Sequence, residues 1–279
     1  MSTTTTMPET QASTGHRVAV APVTLWRVVC SEWIKLRSLR STRITLLVSF
    51  VLMAGLGVLT AAITAGQYSR LPAASRASFD AVNTTLTGYQ FAQLAVGVLG
   101  VVVVSNEYSS GMIRATLAAV PRRLPVLWAK AGVFAVVTLV VMTAASLIAF
   151  AGGMAVLSSH HLQVSLTAPG AARAVLGAGL YLAVVGLLGV GLGALLRKTA
   201  GAIAAVVGLL LFLPLLSSLL GSWFKAHISP YLFSNAGAAL LRVHQQAGSL
   251  SPWTGFAVMC GYAVAALAAA ALVLRRRDA

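Results

Sequence analysis

Long apolar stretches alternate with short polar ones along most of the chain, and six apolar stretches are candidates to cross a membrane. They lie near Ile44–Ala65, Tyr89–Ser105, Ala129–Leu157, Ala172–Leu196, Ala200–Leu220 and Trp253–Leu274. A helix needs about 20 mostly apolar residues to cross the hydrocarbon core of a bilayer. The second stretch is short by this criterion, so we expect its helix to begin earlier, around Leu86. The pattern predicts an all-α membrane protein with six transmembrane helices.

The composition excludes several other classes of protein. Of the 279 residues, 58% are hydrophobic and only 9% are charged, whereas an ordinary soluble domain carries about 25% charged residues. So few charges cannot cover the surface of a soluble globule of this length. A soluble enzyme, a disordered chain and a secreted disulfide scaffold are therefore excluded.

The positive charges predict the orientation. With both termini on one side, that side collects fifteen of the Lys and Arg residues and the other side five. Basic residues gather in the cytoplasmic loops of membrane proteins, so both termini are expected to be cytoplasmic. The same rule explains the net charge of +15 without nucleic acid, which we do not expect as a partner.

The chain divides into three parts. Residues 1–24 are rich in Thr and Ser and are predicted to form a disordered cytoplasmic tail, and residues 42–279 form the six-span domain. Between them, residues 25–41 predict an amphipathic helix lying in the membrane interface. Its apolar positions are Trp26, Val29, Cys30, Trp33 and Leu36, opposite Arg27, Ser31, Lys35 and Ser38. Glu32 is one turn from Lys35 and can pair with it. A plain topological anchor explains this segment equally well.

Two connecting segments are also informative. Residues 106–123 follow the second span, where Ser109 or Ser110 can cap a short helix and Pro121 ends it. This helix either docks on a partner or rests on the lipid headgroups. Residues 221–251 are too apolar for a solvated loop and predict a short helix or a re-entrant segment at the outer surface.

Small residues and one proline suggest how the spans pack. Gly186, Gly189, Gly191 and Gly193 crowd the end of the fourth span, and two of them have the G-x-x-x-G spacing. This spacing allows close approach of helices, within the chain in preference to a dimer seam. Pro214 is expected to kink the fifth span or to free a carbonyl group.

Two motifs resemble those of a known family. The run from Glu107 to Arg114, EYSSGMIR, with Leu117, Pro121 and Lys130 after it, resembles the second-loop motif of ABC-2 type transporter permeases. The run from Glu32 to Ser38, EWIKLRS, is similar to the segment before the first span in their actinobacterial members. The resemblance extends to the order of the elements along the chain.

The resemblance implies the membrane subunit of an exporter in a bacterial plasma membrane, without an ATPase of its own. Its partners would be a separate ATPase subunit that binds ATP and Mg²⁺, a second permease copy or paralogue, and the lipid bilayer. The helix at 108–120 would couple it to the ATPase through Glu107, Tyr108, Gly111, Arg114, Leu117 and Pro121. The interfacial helix would contribute Trp26, Glu32, Trp33, Lys35 and Arg37. The translocation path would contain Gln90, Gln93, Ser217 and Ser218.

The chain itself is not expected to be an enzyme or to bind a cofactor or metal. ATP hydrolysis needs a G-x-x-x-x-G-K-[ST] loop, and the nearest approach, from Gly193 to Thr199, lacks the second glycine. His160 and His161 have no further ligand nearby in the sequence. A non-transporting scaffold or immunity protein that recruits a cytoplasmic partner is the alternative. A secondary transporter ranks third, because no carboxylate lies in the middle of a span.

Overall fold

The computed structural model describes residues 24–70, 72–112, 123–245 and 248–276, and the regular structure in these ranges is helical. The helices are α1 (Leu25–Ser38), α2 (Arg40–Gln67), α3 (Ala73–Ala77), α4 (Ala81–Leu86), α5 (Tyr89–Ser109), α6 (Arg123–Ser158), α7 (Ala171–Leu196), α8 (Thr199–Val207), α9 (Leu213–Leu219), α10 (Ser222–His227), α11 (Phe233–Leu241) and α12 (Pro252–Arg276). Short 3₁₀ turns cover Tyr68–Arg70 and Ser229–Tyr231, and a π-helical turn covers Gly208–Phe212. The predicted tail at residues 1–23 lies outside the described residues.

Six helical segments of the described chain are long and apolar enough to cross a bilayer, which confirms the predicted number. They are Arg40–Arg70, Ala81–Ser109, Leu124–Ser158, Ala171–Leu196, Thr199–Ser217 and Pro252–Arg276. The protein is therefore a multi-pass, all-α membrane protein. These six segments contain α2, α4 with α5, α6, α7, α8 with most of α9, and α12.

The helices extend beyond the predicted apolar stretches where polar residues continue the helical backbone. The helix of the third span begins at Arg123, six residues before the predicted start. Pro125 is accommodated there because the first turn of a helix needs no backbone N–H donors. The second span begins as the separate helix α4, which Asp80 caps by accepting a hydrogen bond from the backbone N–H of Asn83 at 3.0 Å. Apolar content therefore located the spans but not their ends.

The helix α7 lies at the centre of the bundle, and its glycines are the reason that other helices can approach it. A Cβ atom added at Gly189 would lie 2.3 Å from the carbonyl oxygen of Gly97 on α5, and one added at Gly100 would lie 2.3 Å from that of Gly186. A Cβ atom added at Gly191 would lie 2.9 Å from the Cβ atom of Ala266 on α12. The glycine-rich end of α7 therefore packs within the chain, as predicted.

Pro214 changes the fifth span in the way that its chemistry predicts. Proline has no N–H to donate to the carbonyl four residues earlier, which here belongs to Leu210. The backbone before Pro214 forms the π-helical turn, and the Leu210 carbonyl accepts a hydrogen bond from the Ser234 hydroxyl at 3.0 Å. Ser234 lies on α11, so the freed carbonyl ties the fifth span to the segment that follows it.

The segment between the fifth and sixth spans is helical, which agrees with one of the two predicted alternatives. It contains α10 and α11, and almost all of α11 is buried. A Cβ atom added at Gly237 would collide with Tyr181 of α7 and Met259 of α12 at 2.5 Å. The helix α11 is therefore packed between these two spans.

The α5–α7 contact can be tested by adding one methyl group. We expect Gly189→Ala to destabilise the protein by about 1–3 kcal/mol, because the new methyl meets a backbone carbonyl that cannot move aside. Chemical unfolding in detergent micelles measures the change. Gly261→Ala on α12 is the matched control, since nothing lies within 4 Å of its added Cβ atom. Equal stability of the two variants would contradict the close contact.

Candidate functional site

Two lysines and two glutamates meet where α1, the end of α5 and the start of α6 come together. Glu32 and Lys35 lie on α1, Glu107 lies in the last turn of α5, and Lys130 lies near the start of α6. We call these four residues the charge cluster. Among the described residues, it contains every acidic side chain except Asp80. An apolar chain with few acids has therefore placed two of them at one site.

Apolar packing brings these helices together. Val28 of α1 packs against Val126 and Ala129 of α6 in one small buried group. One turn beyond Glu32, Leu36 joins a second group with Leu127 of α6. The stripe at positions 28, 32 and 36 has helical spacing, so that two apolar residues flank Glu32 and carry it into the interior. The charged residue is thus buried because its neighbours on the same face are apolar.

The four charges alternate and neutralise one another. The Lys130 ammonium donates hydrogen bonds to Glu32 and, at 2.8 Å, to Oε1 of Glu107. The Lys35 ammonium donates to Oε1 of Glu32 at 2.7 Å and to Oε1 of Glu107 at 3.1 Å. The side chains of Glu32, Glu107 and Lys130 are 3%, 8% and 6% exposed, and that of Lys35 is 28% exposed. The expected Glu32–Lys35 pair is confirmed, but it belongs to a larger network.

The alternating charges of the cluster oppose movement of the three helices relative to one another. Transferring a charge from water to a protein interior costs several kcal/mol, which an opposite charge offsets only when the geometry is good. Here each lysine contacts both glutamates, so that moving any one of the three helices separates opposite charges in a poorly solvated place. The cluster therefore holds α1, α5 and α6 in one relative position.

One oxygen of the cluster is buried without a partner. Oε2 of Glu107 has no hydrogen-bond partner in the described part of the chain. Glu107 lines a cavity of about 380 Å³, whose wall also contains Lys35, Ser110 and Met112. Ser110 and Met112 belong to the described part of the segment that was predicted to couple, so the cavity lies beside the beginning of that segment.

The predicted coupling residues are only partly within the described chain. Tyr108 lies in the last turn of α5, and Gly111 follows its C-cap with a φ of +70°, a backbone conformation that favours glycine. Arg114, Leu117 and Pro121 lie outside the described residues. Glu107 was expected as a polar contact with the ATPase, but its carboxylate is buried against Lys35 and Lys130.

The capping prediction for this loop stays a prediction, because the short helix that Ser109 or Ser110 was expected to cap lies mostly outside the described residues. In the described part, both hydroxyls donate to the carbonyl of Asn106, at 3.1 and 2.7 Å. The two hydroxyls therefore satisfy a carbonyl at the C-terminal end of α5. This helix continues four residues beyond the predicted end of the second span, so both serines lie at its end.

The hairpin between the fourth and fifth spans contacts the C-terminal end of α5. Arg197, at the C-cap of α7, has a φ of +54° and lies over the ring of Tyr108, with its guanidinium carbon 5.3 Å from the ring centre. A cation over an aromatic face is attracted to it. The end of α5 is therefore held on one side by the charge cluster and on another by α7.

The two faces of α1 differ from the prediction in one respect. Trp26 and Trp33 are 72% and 46% exposed, and Arg37 is exposed as well. Lys35 was assigned to the outer polar face of α1, but it turns toward the charge cluster, because Glu32 and Glu107 attract it inward. The exposed tryptophans leave an apolar face on the outside of α1.

The proposed path residues do not form one continuous polar surface. Gln90 is exposed at the start of α5, whereas Gln93 is buried and accepts a hydrogen bond from the hydroxyl of Tyr181. Ser217 is buried and donates to the carbonyl of Pro214 at 2.6 Å. Ser218 lies in α9, and its side chain is outside the described set. Gln93 and Ser217 thus bond to partners within the chain.

The sequence interpretation did not assign Lys130 to the site, although a signal was present. A lysine near the start of a helix that enters the bilayer needs a counter-charge. Glu32 and Glu107, at the same predicted boundary, were available for it. In the described ranges, no three His, Cys, Asp or Glu side chains come together as metal ligands.

The chain matches no protein-family model, no curated protein and no solved structure.

The charge cluster predicts a specific pattern of stability. We expect Lys130→Met to destabilise the protein by about 3–5 kcal/mol, because it leaves excess negative charge buried. Adding Glu107→Gln should restore about 1–3 kcal/mol, because the remaining Glu32–Lys35 pair is neutral. Chemical unfolding in detergent measures both changes. Lys198→Met, at an exposed position, is the control and should change stability by less than about 0.5 kcal/mol. Simple additivity of the two cluster substitutions would contradict the network.

The pH dependence of the cluster follows from Lys35. Burial lowers the pKa of Lys35, but its hydrogen bond to Glu32 and the negative charges of Glu107 and Glu32 outweigh burial and raise the pKa above 10.5. A raised lysine pKa stabilises the fold below the unfolded pKa, and this contribution disappears as the pH rises through the folded pKa.

We therefore expect the stability difference between the wild type and Lys35→Met to be constant across the neutral range and to shrink only above pH 10.5. Unfolding at a series of pH values measures it. A difference that shrinks already near neutral pH would mean that Lys35 is not held by the two carboxylates.

Proposed function

We propose that this chain is the membrane-spanning subunit of an ATP-driven exporter of the ABC-2 type, which works with a separate ATPase subunit. The observation that carries the proposal is the charge cluster. It joins α1 to the last turn of α5 and the start of α6, which are the two ends of the loop at residues 113–122. A force applied to this loop would reach three helices at once.

The mechanism that we propose is alternating access driven from this loop. The ATPase would bind the loop and α1 on the cytoplasmic face, where both termini would also lie. Movement would pass along α5, which is continuous from Glu107 to the glycine contacts with α7. Because backbone touches backbone at Gly97 and Gly189, little side-chain rearrangement could absorb the movement.

A second permease copy or a paralogue would complete the translocation path. In the most apolar 18 residues of the fifth span, the share of residues buried within the chain is only 17%, whereas in the fourth span it is 78%. The fifth span therefore offers an apolar surface to lipid or to another subunit. A substrate carried between two such surfaces would be hydrophobic or amphipathic.

The alternative is a membrane scaffold or immunity protein that recruits a cytoplasmic partner without transport. The cavity beside Glu107 supports a docking role of either kind. The two functions differ in the partner. An exporter needs a stoichiometric subunit that hydrolyses ATP, whereas a scaffold does not.

Affinity purification of the full-length chain from its native membranes tests the proposal. We expect an ATPase to co-purify stoichiometrically, and we expect Arg114→Glu to reduce its recovery roughly tenfold or more, because charge reversal at a docked helix places like charges in contact. Recovery is measured by quantitative mass spectrometry and by ATP hydrolysis.

Arg70→Glu is the matched control, because this residue lies at the other end of the first span, away from the loop. The Arg70→Glu variant should recover as much ATPase as the wild type. A stoichiometric partner without ATP hydrolysis would favour the scaffold. Normal recovery of the ATPase with Arg114→Glu would refute the coupling role of the loop.

A further inference from the structure

An apolar groove runs between α1 and α6 on the outside of the bundle. It has a volume of about 570 Å³. Trp26, Cys30 and Trp33 line it from α1, and Trp128, Gly132 and Val136 line it from α6. Three of its lining residues are tryptophans that are about half exposed or more. The proposed coupling mechanism places α1 against the ATPase on the cytoplasmic side but assigns no ligand to this groove.

A basic pocket adjoins the groove at Trp33. The pocket is lined by Trp33, Arg37 and Arg43 and has a volume of about 420 Å³. Arg37 continues the stripe at positions 26, 30 and 33 by one helical turn, and Arg43 comes from the first turns of α2. Both arginines are exposed, and no carboxylate of the described chain forms a salt bridge with either of them.

We infer that the groove and the basic pocket together bind one anionic phospholipid. The acyl chain lies in the groove, and the negative headgroup contacts Arg37 and Arg43. Guanidinium groups match phosphate geometry and can donate two hydrogen bonds to it. Tryptophan is favoured at the level of the headgroups, between the apolar and the polar part of such a ligand. The site therefore has an apolar part and a cationic part in the order that a phospholipid requires.

The length of the groove suits an acyl chain. From Trp128 to Val137 the helix α6 rises by about 14 Å at 1.5 Å per residue. One leaflet of a bilayer has a hydrocarbon depth of about 15 Å, half of a 30 Å core. Because α6 belongs to a candidate span, an acyl chain that lies alongside Trp128–Val137 would extend in the same direction as the neighbouring lipid chains.

Native mass spectrometry of the full-length protein in detergent tests the site. The protein is titrated with phosphatidylglycerol and, separately, with phosphatidylcholine that has the same acyl chains. We expect the wild type to bind phosphatidylglycerol roughly tenfold more tightly than phosphatidylcholine, because each basic residue near the headgroup favours an anionic lipid.

Two variants separate the parts of the site. Gly132→Leu fills the groove, and since nothing lies within 4 Å of its added Cβ atom, the fold should tolerate it. It should weaken binding of both lipids roughly tenfold. The double variant Arg37→Gln, Arg43→Gln should abolish the preference for phosphatidylglycerol, because it should weaken binding of the anionic lipid more than that of phosphatidylcholine.

Matched controls exclude general effects of size and charge. Gly261→Leu adds the same side chain where there is also open space, and Arg275→Gln with Arg276→Gln removes two exposed charges at the end of α12. Both controls should bind lipids as the wild type does. Wild-type binding by Gly132→Leu, or a retained headgroup preference in the Arg37 and Arg43 variant, would overturn the inference. A dimer that Gly132→Leu disrupts would also overturn it, because a second copy would then occupy the groove.

Discussion

The fold depends at one point on the electrostatic cost of burying charge. Lys130 lies in a helix that enters the bilayer, and its ammonium group is stable there only while Glu32 and Glu107 accept its hydrogen bonds. Those two carboxylates come from other helices, 98 and 23 positions away along the chain. Each buried carboxylate is in turn neutralised by the two lysines. Neutrality of the four groups therefore adds to apolar packing in fixing the mutual position of three helices.

Glycine contacts extend this fixed joint into the bundle. The cluster holds the last turn of α5, and α5 then meets α7 at Gly97 and Gly100 without intervening side chains. At the same end, Arg197 lies against Tyr108, so that the α7–α8 hairpin also rests on α5. Polar groups fix the ends of these helices, and close backbone contacts fix their central parts. This combination suits a protein whose helices move as a group.

The sequence predicted the number of spans because bilayer thickness imposes a length that apolar residues reveal directly. It also predicted the Glu32–Lys35 pair and the effect of Pro214, because both depend on helical geometry alone. It did not predict that Lys130 and Glu107 would meet or that Lys35 would turn inward. Those contacts join residues up to 98 positions apart and depend on how α1 packs on α6. Local spacing contains no information on such packing.

The rigidity of this joint can be measured as a distance. In a full-length chain with Cys30 and Cys260 replaced by serine, spin labels at cysteines introduced for Ser38 and Ser109 report the separation of α1 from the end of α5 in lipid nanodiscs. Both positions are exposed beside the cavity. The account predicts one narrow distance distribution, which broadens when Lys130 is replaced by methionine. A distribution that is equally narrow with and without the Lys130 ammonium group would contradict the claim that charge neutrality holds these helices together.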